Sequence, residues 1–302
     1  MKIAYLILAH KDPKFISRLA KKLTYKCDND VYIHVDAKTD IAPFMKECQG
    51  DHIYVINERI SVYWGGFNSI KATIALYKAA LKKGPYNHYM ILQGADYPLW
   101  SNAQINEFFS KNKDVEFIRG VSDTKADRDQ WQRYIPRYHL DRSSSFNKIL
   151  NHMNIIFFKA FKKLYKAPYV DIDHQRCEIF RGWAHFALTQ KCVEYVVNFY
   201  DTHPKFNKFF AGVYAPDESY FQTIIFNSPF LDHTVEGILP ESKRSIAALC
   251  NLTYFEYPLY VTEFTKKEDY QYLLEKGYPF FRKCSSSSAE LLDEIDRHTQ
   301  DA

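Results

Sequence analysis

The chain has 302 residues, 46% of them hydrophobic and 17% aromatic, with only 10 Gly and a formal charge of +4. That length and apolar content provide for a buried core and exclude disordered, collagenous and disulfide-scaffold classes. The charge excess is too small to supply a phosphate footprint, so no nucleic-acid partner is expected. The six cysteines, Cys27, Cys48, Cys177, Cys192, Cys250 and Cys284, form no C-x-x-C pair and no zinc-ligand spacing, which predicts reduced thiols. The first apolar run is too short to cross a bilayer and lacks a cleavage site. The expected location is therefore cytoplasmic, with peripheral contact at the inner face of the cell membrane.

Strand and helix signals alternate through the first third, the pattern of a parallel α/β sheet. Ile3 to Ala9 is a strand, and Asp12 with Pro13 caps a helix that carries Phe15, Ile16, Leu19 and Leu23 on one stripe. Val31 to Val35 and Ile53 to Ile56 follow as strands. After Trp64-Gly65-Gly66 a helix places Ile70, Ile74, Tyr77 and Leu81 on one face until Gly84-Pro85. Tyr89 to Leu92 reads as a buried strand ending in the turn Gly94 to Pro98, at the sheet edge where open α/β folds place ligands. Ser101 or Asn102 caps the next helix. Between Phe146 and Lys166 stand five Lys (148, 159, 162, 163, 166) and no acidic residue, interleaved with Ile149, Leu150, Met153, Ile155, Ile156, Phe157, Phe158, Phe161 and Leu164. Such a basic amphipathic helix suits an anionic membrane surface and equally an ordinary solvated face. Ile179 to Leu188 returns to strand, Thr189 caps a helix, and Pro216-Asp217-Glu218-Ser219 opens another.

Phosphate-loop, dinucleotide-fold, nucleophile-elbow and zinc-protease signatures are absent from the sequence. The triplets Asp28-Asn29-Asp30 and Asp171-Ile172-Asp173 do not follow the strand that leads to the ligand edge, which disfavours metal. Asp217 and Glu218 fit a helix cap as well as a general base. His10, His34 and Asp36 share the edge of a parallel sheet with Trp64, whose ring offers a stacking face. Arg282 and Lys283, after an aromatic run, are cations suited to a diphosphate leaving group.

Taken in order, Ile3 to His10, Val31 to Asp36, Ser61 to Gly66, Leu92 to Leu99 and Ala215 to Glu218 resemble the core-2/I-branching β-1,6-N-acetylglucosaminyltransferase and xylosyltransferase family. The resemblance runs from Ile3 to Lys283 and implies an α/β, GT-A-like single domain with a mixed, mainly parallel central sheet flanked by helices. That domain would span 1–284, with the basic insertion at 140–170 and a tail at 285–302. It implies an inverting transfer from a UDP-sugar, GlcNAc first and xylose or glucose as alternatives, to a glycan or lipid-linked oligosaccharide, with no cofactor and no divalent metal. A sugar-binding module without turnover is the rival from another class. By position, Glu218 matches the catalytic base, and His10, His34, Asp36, Trp64, Asp96, Arg282 and Lys283 match the donor side. Glu116, Trp183, His185 and Asp217 fall on the acceptor side. The second diphosphate cation of animal branching enzymes has no clean counterpart among Lys243, Arg244 and Lys266.

Overall fold

Seven consecutive apolar residues make Ile3–Ala9 a strand buried on both faces, and the sheet is built outward from it. In the computed structural model, residues 1–137, 140–141, 145–256 and 263–299 are described. The strands in chain order are β1 (Ile3–Ala9), β2 (Asp30–Val35), β3 (Ile53–Val55), β4 (His88–Gln93), β5 (Asp96–Pro98), β6 (Val121–Ser122), β7 (Tyr169–Ile172), β8 (Gln175–Glu178), β9 (Phe180–Arg181), β10 (Ala187–Thr189), β11 (Thr253–Phe255) and β12 (Phe280–Arg282). The helices are α1 (Pro13–Thr24), α2 (Ala42–Glu47), α3 (Asn68–Leu81), α4 (Asn102–Lys111), α5 (Ser145–Phe161), α6 (Gln190–Thr202), α7 (Pro204–Phe210), α8 (Tyr220–Phe226), α9 (Ile246–Leu249), α10 (Asp269–Glu275) and α11 (Ala289–Thr299).

The central sheet has the order β10-β4-β1-β2-β3, parallel except for β10, and a second sheet, β11-β12-β5, stands beside it. Alternation along β1 sends Ile3, Tyr5 and Ile7 into one core with α1, α4 and α11, and Ala4 and Leu6 into another with α3, α6 and α8. Each fully buried Leu, Ile or Phe contributes about 1.5–3 kcal/mol, so these two layers hold the sheet rigid. α1 follows β1 and α3 follows β3, on opposite faces of the sheet, and the strand order reverses between β1 and β4. In open α/β sheets ligands bind outside the carboxyl ends of the strands at such a reversal.

Three elements differ from the sequence reading. The strand expected over Ile179 to Leu188 is cut into β9, which pairs with β6, and β10, which pairs with β4; between them Gly182 passes so close to the Arg119 carbonyl that a Cβ there would stand 2.0 Å from it. The turn Gly94 to Pro98 contains β5, which pairs antiparallel with β12. Pro216–Glu218 is a separate 3₁₀ turn, broken from α8 at Ser219, so Glu218 does not lie in the first turn of that helix. The tail is a docked helix: α11 buries Leu291, Leu292 and Ile295, and Asp296 accepts from Tyr97 Oη at 2.9 Å and pairs with Arg18 at 2.7 Å. Residues 142–144 of the basic insertion and 300–302 of the tail lie outside the described residues.

Candidate active site

At the carboxyl edge of the sheet, Ala215 adopts a left-handed conformation, φ 49°, immediately before Pro216. A non-glycine residue is held there only when its surroundings over-determine it. Three bonds do so: Ala215 N donates to Gly65 O at 3.0 Å, Arg133 Nη1 to Ala215 O at 3.3 Å, and Tyr214 N to Arg133 O at 3.1 Å. The turn carries the half-buried Glu218, whose Oε2 lies 2.8 Å from Arg133 Nη1. The carboxylate is thus aimed by a guanidinium rather than spent on a helix cap. Beside it, desolvation and the charge of Glu218 push the Asp217 carboxyl up to about 6, against the pull of Arg133. Two neighbouring acids in different environments are a recurrent arrangement where one must take up a proton.

The same turn bonds to a second segment. Gly182 N donates to Glu218 O at 2.8 Å, and Gln222 Nε2 to Trp183 O at 2.9 Å, which brings the Gly182–Phe186 segment alongside. Three residues further on, within about 10 Å of chain, His185 Nε2 lies 3.0 Å from Asp96 Oδ2 and 2.8 Å from Arg282 Nη1. Arg282, opposite Asp96 in the register of β12 and β5, also donates to Gln93 Oε1 at 3.1 Å. Asp96 is fully buried. Burial opposes its charge, but His185 and Arg282 outweigh it and hold the carboxyl below its usual range. Burial, with Arg282 beside it, lowers the His185 imidazole, which favours its neutral form. Trp183 lies flat on His185, ring centres 5.5 Å apart.

Lys283 follows this knot and differs from it. Its carbonyl accepts from Phe264 N at 2.9 Å, and among the described residues its ammonium has no ion-pair or hydrogen-bond partner. Desolvation and the charges of Arg282 and Lys11 lower its pKa. An unpaired cation crowded by cations at a sheet edge is poised for an anion.

On the β2 side, Asp36 accepts from Lys38 Nζ at 2.6 Å and from Val62 N at 3.2 Å, so its carboxylate ties the loop after β3 to the sheet. His34 is buried with Nε2 accepting from Ile60 N at 3.0 Å; burial lowers it to about 4, and it orders that loop as a neutral ring. His10 is exposed at the end of β1, lowered by partial burial and by Lys11. The loop presents Trp64, which is 84% exposed and rests edge-on against Tyr214 with centres 5.3 Å apart. Position 65 needs glycine twice over: its φ is 78°, and a Cβ there would stand 2.9 Å from the Tyr214 ring. Through Gly65 and Ala215 the Trp64 loop and the Glu218 turn form one rim.

Glu116 is placed elsewhere, a correction to its assignment on the acceptor side. It is buried at the amino end of β4, accepts from Thr189 N at 2.8 Å and Thr189 Oγ1 at 2.5 Å, and so braces the start of α6. Asp30 of the first acidic triplet also lies at the amino edge, bound to His52 at 2.6 Å and Lys2 at 2.9 Å. Asp171 and Asp173 belong to the β7–β8 hairpin. Arg244 is engaged by buried Asp123, at 2.5 Å, and by Glu241. The sequence reading missed Arg133, Arg137 and Tyr214. Arg137 stacks its guanidinium 4.1 Å above the Tyr214 ring. The only local signal was Arg128, Arg133 and Arg137 interleaved with Trp131 and Tyr134.

A family model described as Core-2/I-Branching enzyme matches residues 3–245, which contain all of this rim except Arg282 and Lys283. The chain belongs to the Core-2/I-branching enzyme family. That is a family of glycosyltransferases with a GT-A-like fold, in agreement with the mainly parallel sheet and its flanking helices. Xylosyltransferase 1 of Rattus norvegicus is 27% identical over 248 residues, which cover 79% of this chain and 27% of that protein. Xylosyltransferase 2 of Rattus norvegicus is 26% identical over 313 residues, 99% of this chain and 34% of the relative. Xylosyltransferase 1 of Homo sapiens is 24% identical over 246 residues, 79% of this chain and 24% of the relative. The chain thus spans about a quarter to a third of the length of these relatives.

Proposed function

We propose that this Core-2/I-branching chain is an inverting, metal-independent transferase that moves a sugar from a UDP-sugar to a hydroxyl of a glycan acceptor. The observation that carries the reading is Glu218, held by Arg133 at 2.8 Å, and it is supported by Lys283, whose ammonium has no partner among the described residues. As the acceptor oxygen forms its bond to the anomeric carbon, its proton passes to the Glu218 carboxylate. The anomeric carbon's bond to the phosphate oxygen breaks with its electron pair, which leaves as UDP. Negative charge therefore grows on the diphosphate in the transition state, where a fixed cation stabilises most. Lys283 supplies that charge. Arg282 acts through it, neutralising Asp96 so that the carboxylate at this turn does not repel the diphosphate. Trp64 offers its exposed face to the uracil ring, with Asp36 and His34 fixing the loop that presents it and His10 at the same edge. Trp183 and Asp217 flank the acceptor side, with His185 behind Trp183. GlcNAc is the donor sugar of this reading. The relatives' name supports UDP-xylose as the second.

The test is release of UDP from UDP-GlcNAc, UDP-xylose and UDP-glucose, with and without EDTA. Glu218→Gln binds UDP as the parent does and loses about 10²- to 10⁴-fold in turnover. Near-normal turnover of that variant overturns the base assignment, and loss of turnover in EDTA overturns metal independence. No calorimetric signal with UDP assigns the chain to a sugar-binding module instead.

A further inference from the structure

The helix α5 leaves unpartnered what a soluble surface helix ordinarily buries. Ile149, Met153, Ile156, Phe157 and Phe161 are all exposed, Ile149 to 59% and Phe157 to 56%. At 100° per residue they share one arc about 140° wide, and the stripe is about 18 Å long. Away from the stripe the helix meets the body: Phe158 is buried, and Asn154, just past the Phe161 edge, donates Nδ2 to Pro136 O at 3.1 Å. Lys148 and Lys159, both exposed, stand about 60–80° beyond the Ile156 edge of the stripe. Beyond the helix, Leu164 is 78% exposed among Lys162, Lys163 and Lys166. Lys162 pairs with Asp129 at 2.9 Å; among the described residues Lys148, Lys159, Lys163 and Lys166 have no ion pair. No helix among the described residues is long and apolar enough to cross a membrane.

We infer that this face is a docking surface for an anionic phospholipid bilayer. An exposed apolar stripe rimmed by cations marks an interaction site, and two features select a lipid partner. One is the charge, which is of a single sign throughout Phe146 to Lys166. The other is the division of labour, apolar rings at the height of the acyl boundary and lysines beside them at the height of the headgroups, the arrangement of helices that lie in the interface plane. Lysine stems of this length reach from the helix to the phosphates while their methylenes cover apolar surface. The helix is fastened to the body by Arg128 Nη1, which donates to Lys163 O at 3.0 Å, and by the Lys162–Asp129 pair. Arg128 opens the 3₁₀ segment Arg128–Tyr134, and Arg133 is five residues along it, about 10 Å at the 3₁₀ rise. Docking therefore holds the Glu218 rim close to the lipid, where an acceptor on a lipid carrier would present its sugar. The docking itself does not depend on the transferase reading.

The experiment is co-sedimentation of the full chain with vesicles of phosphatidylcholine and phosphatidylglycerol, 70:30, against phosphatidylcholine alone. The parent partitions to the anionic vesicles and is released by salt. Lys148→Glu with Lys159→Glu weakens partitioning about thirtyfold or more, at roughly a factor of five for each lysine lost from the headgroup layer. Phe157→Ser with Phe161→Ser abolishes it. Both variants keep parental UDP release with a soluble acceptor, a readout that stands or falls separately. Equal partitioning to neutral vesicles, no partitioning by the parent, or a concentration-dependent dimer that buries the stripe would overturn the proposal.

Discussion

Adjacent positions 282 and 283 have opposite fates, and that contrast can be measured. Arg282 is buried against Asp96, His185 and Gln93, so Arg282→Ala leaves a fully buried carboxylate short of one of the two groups that hold its charge. Breaking one partner out of a buried ion pair costs about 3–5 kcal/mol. A lowered urea midpoint and poor soluble yield are the expected outcome. Among the described residues Lys283 has no partner to strand, and removing it relieves its crowding with Arg282 and Lys11. Lys283→Ala should keep or slightly raise the midpoint while weakening UDP about 10- to 100-fold, the worth of one charge-assisted contact. Calorimetry with UDP beside urea titrations separates the two; a Lys283→Ala protein that binds UDP normally would remove this residue from the donor side. At this scale Glu218, Asp36, Trp64 and Lys283 each follow a strand or turn that is readable from its neighbours. The sequence offers no purchase on Glu116, whose site depends on where β10 pairs with β4, nor on Arg133, whose partner is distant in the chain.

Among the elements, those with a local stop and start signal were legible to within a residue or two. Asp12 caps α1 with its carboxylate accepting from Phe15 N at 3.1 Å, and Ser101 forms a reciprocal cap with Gln104. β1 runs over the predicted residues because seven apolar side chains bounded by a turn leave little choice. The split of β9 from β10 was not legible: the two pair with different strands, β6 and β4, and the close approach of Gly182 to the Arg119 carbonyl is likewise set by the tertiary fold. Gly182→Ala tests this directly. Its methyl must displace backbone at Arg119 or the Gln222 side chain, 3.0 Å away, and so loosens the bond from Gly182 N to Glu218 O. The expected loss is about 2 kcal/mol or more in urea unfolding, typical of overpacking against fixed backbone, and turnover should fall with it. An unchanged midpoint would mean that the segment yields freely.

The whole molecule carries buried imidazoles whose titration sets its tolerance to acid. Burial lowers His34 and His88 each to about 4, and lowers His185 in direction. With folded values below the unfolded one near 6.5, the unfolded chain binds more protons in between. Stability is therefore full above about pH 6.5 and declines as pH falls toward 4. Asp217, raised by burial and Glu218 to about 6, titrates the other way: its protonation on acidification favours the fold and offsets part of one imidazole. The net expectation is a urea midpoint that drops steadily between pH 6.5 and 4.5. His34→Gln, which retains an acceptor for Ile60 N, should flatten that slope, and a midpoint flat in the parent would contradict it.

By itself the sequence determined the order of strands and helices, the apolar stripes that pack them, and the motif order that marks the family. These are set within windows of a few residues, by side-chain alternation, helical periodicity and capping chemistry. Only the tertiary structure decided that Arg133 aims Glu218, that Arg282 is consumed by Asp96 while Lys283 has no partner among the described residues, and that the apolar residues on one face of α5 are exposed. Each of those outcomes is a meeting, or a failure to meet, between side chains far apart in the chain. It depends on sheet order and strand register, which no short window of residues contains.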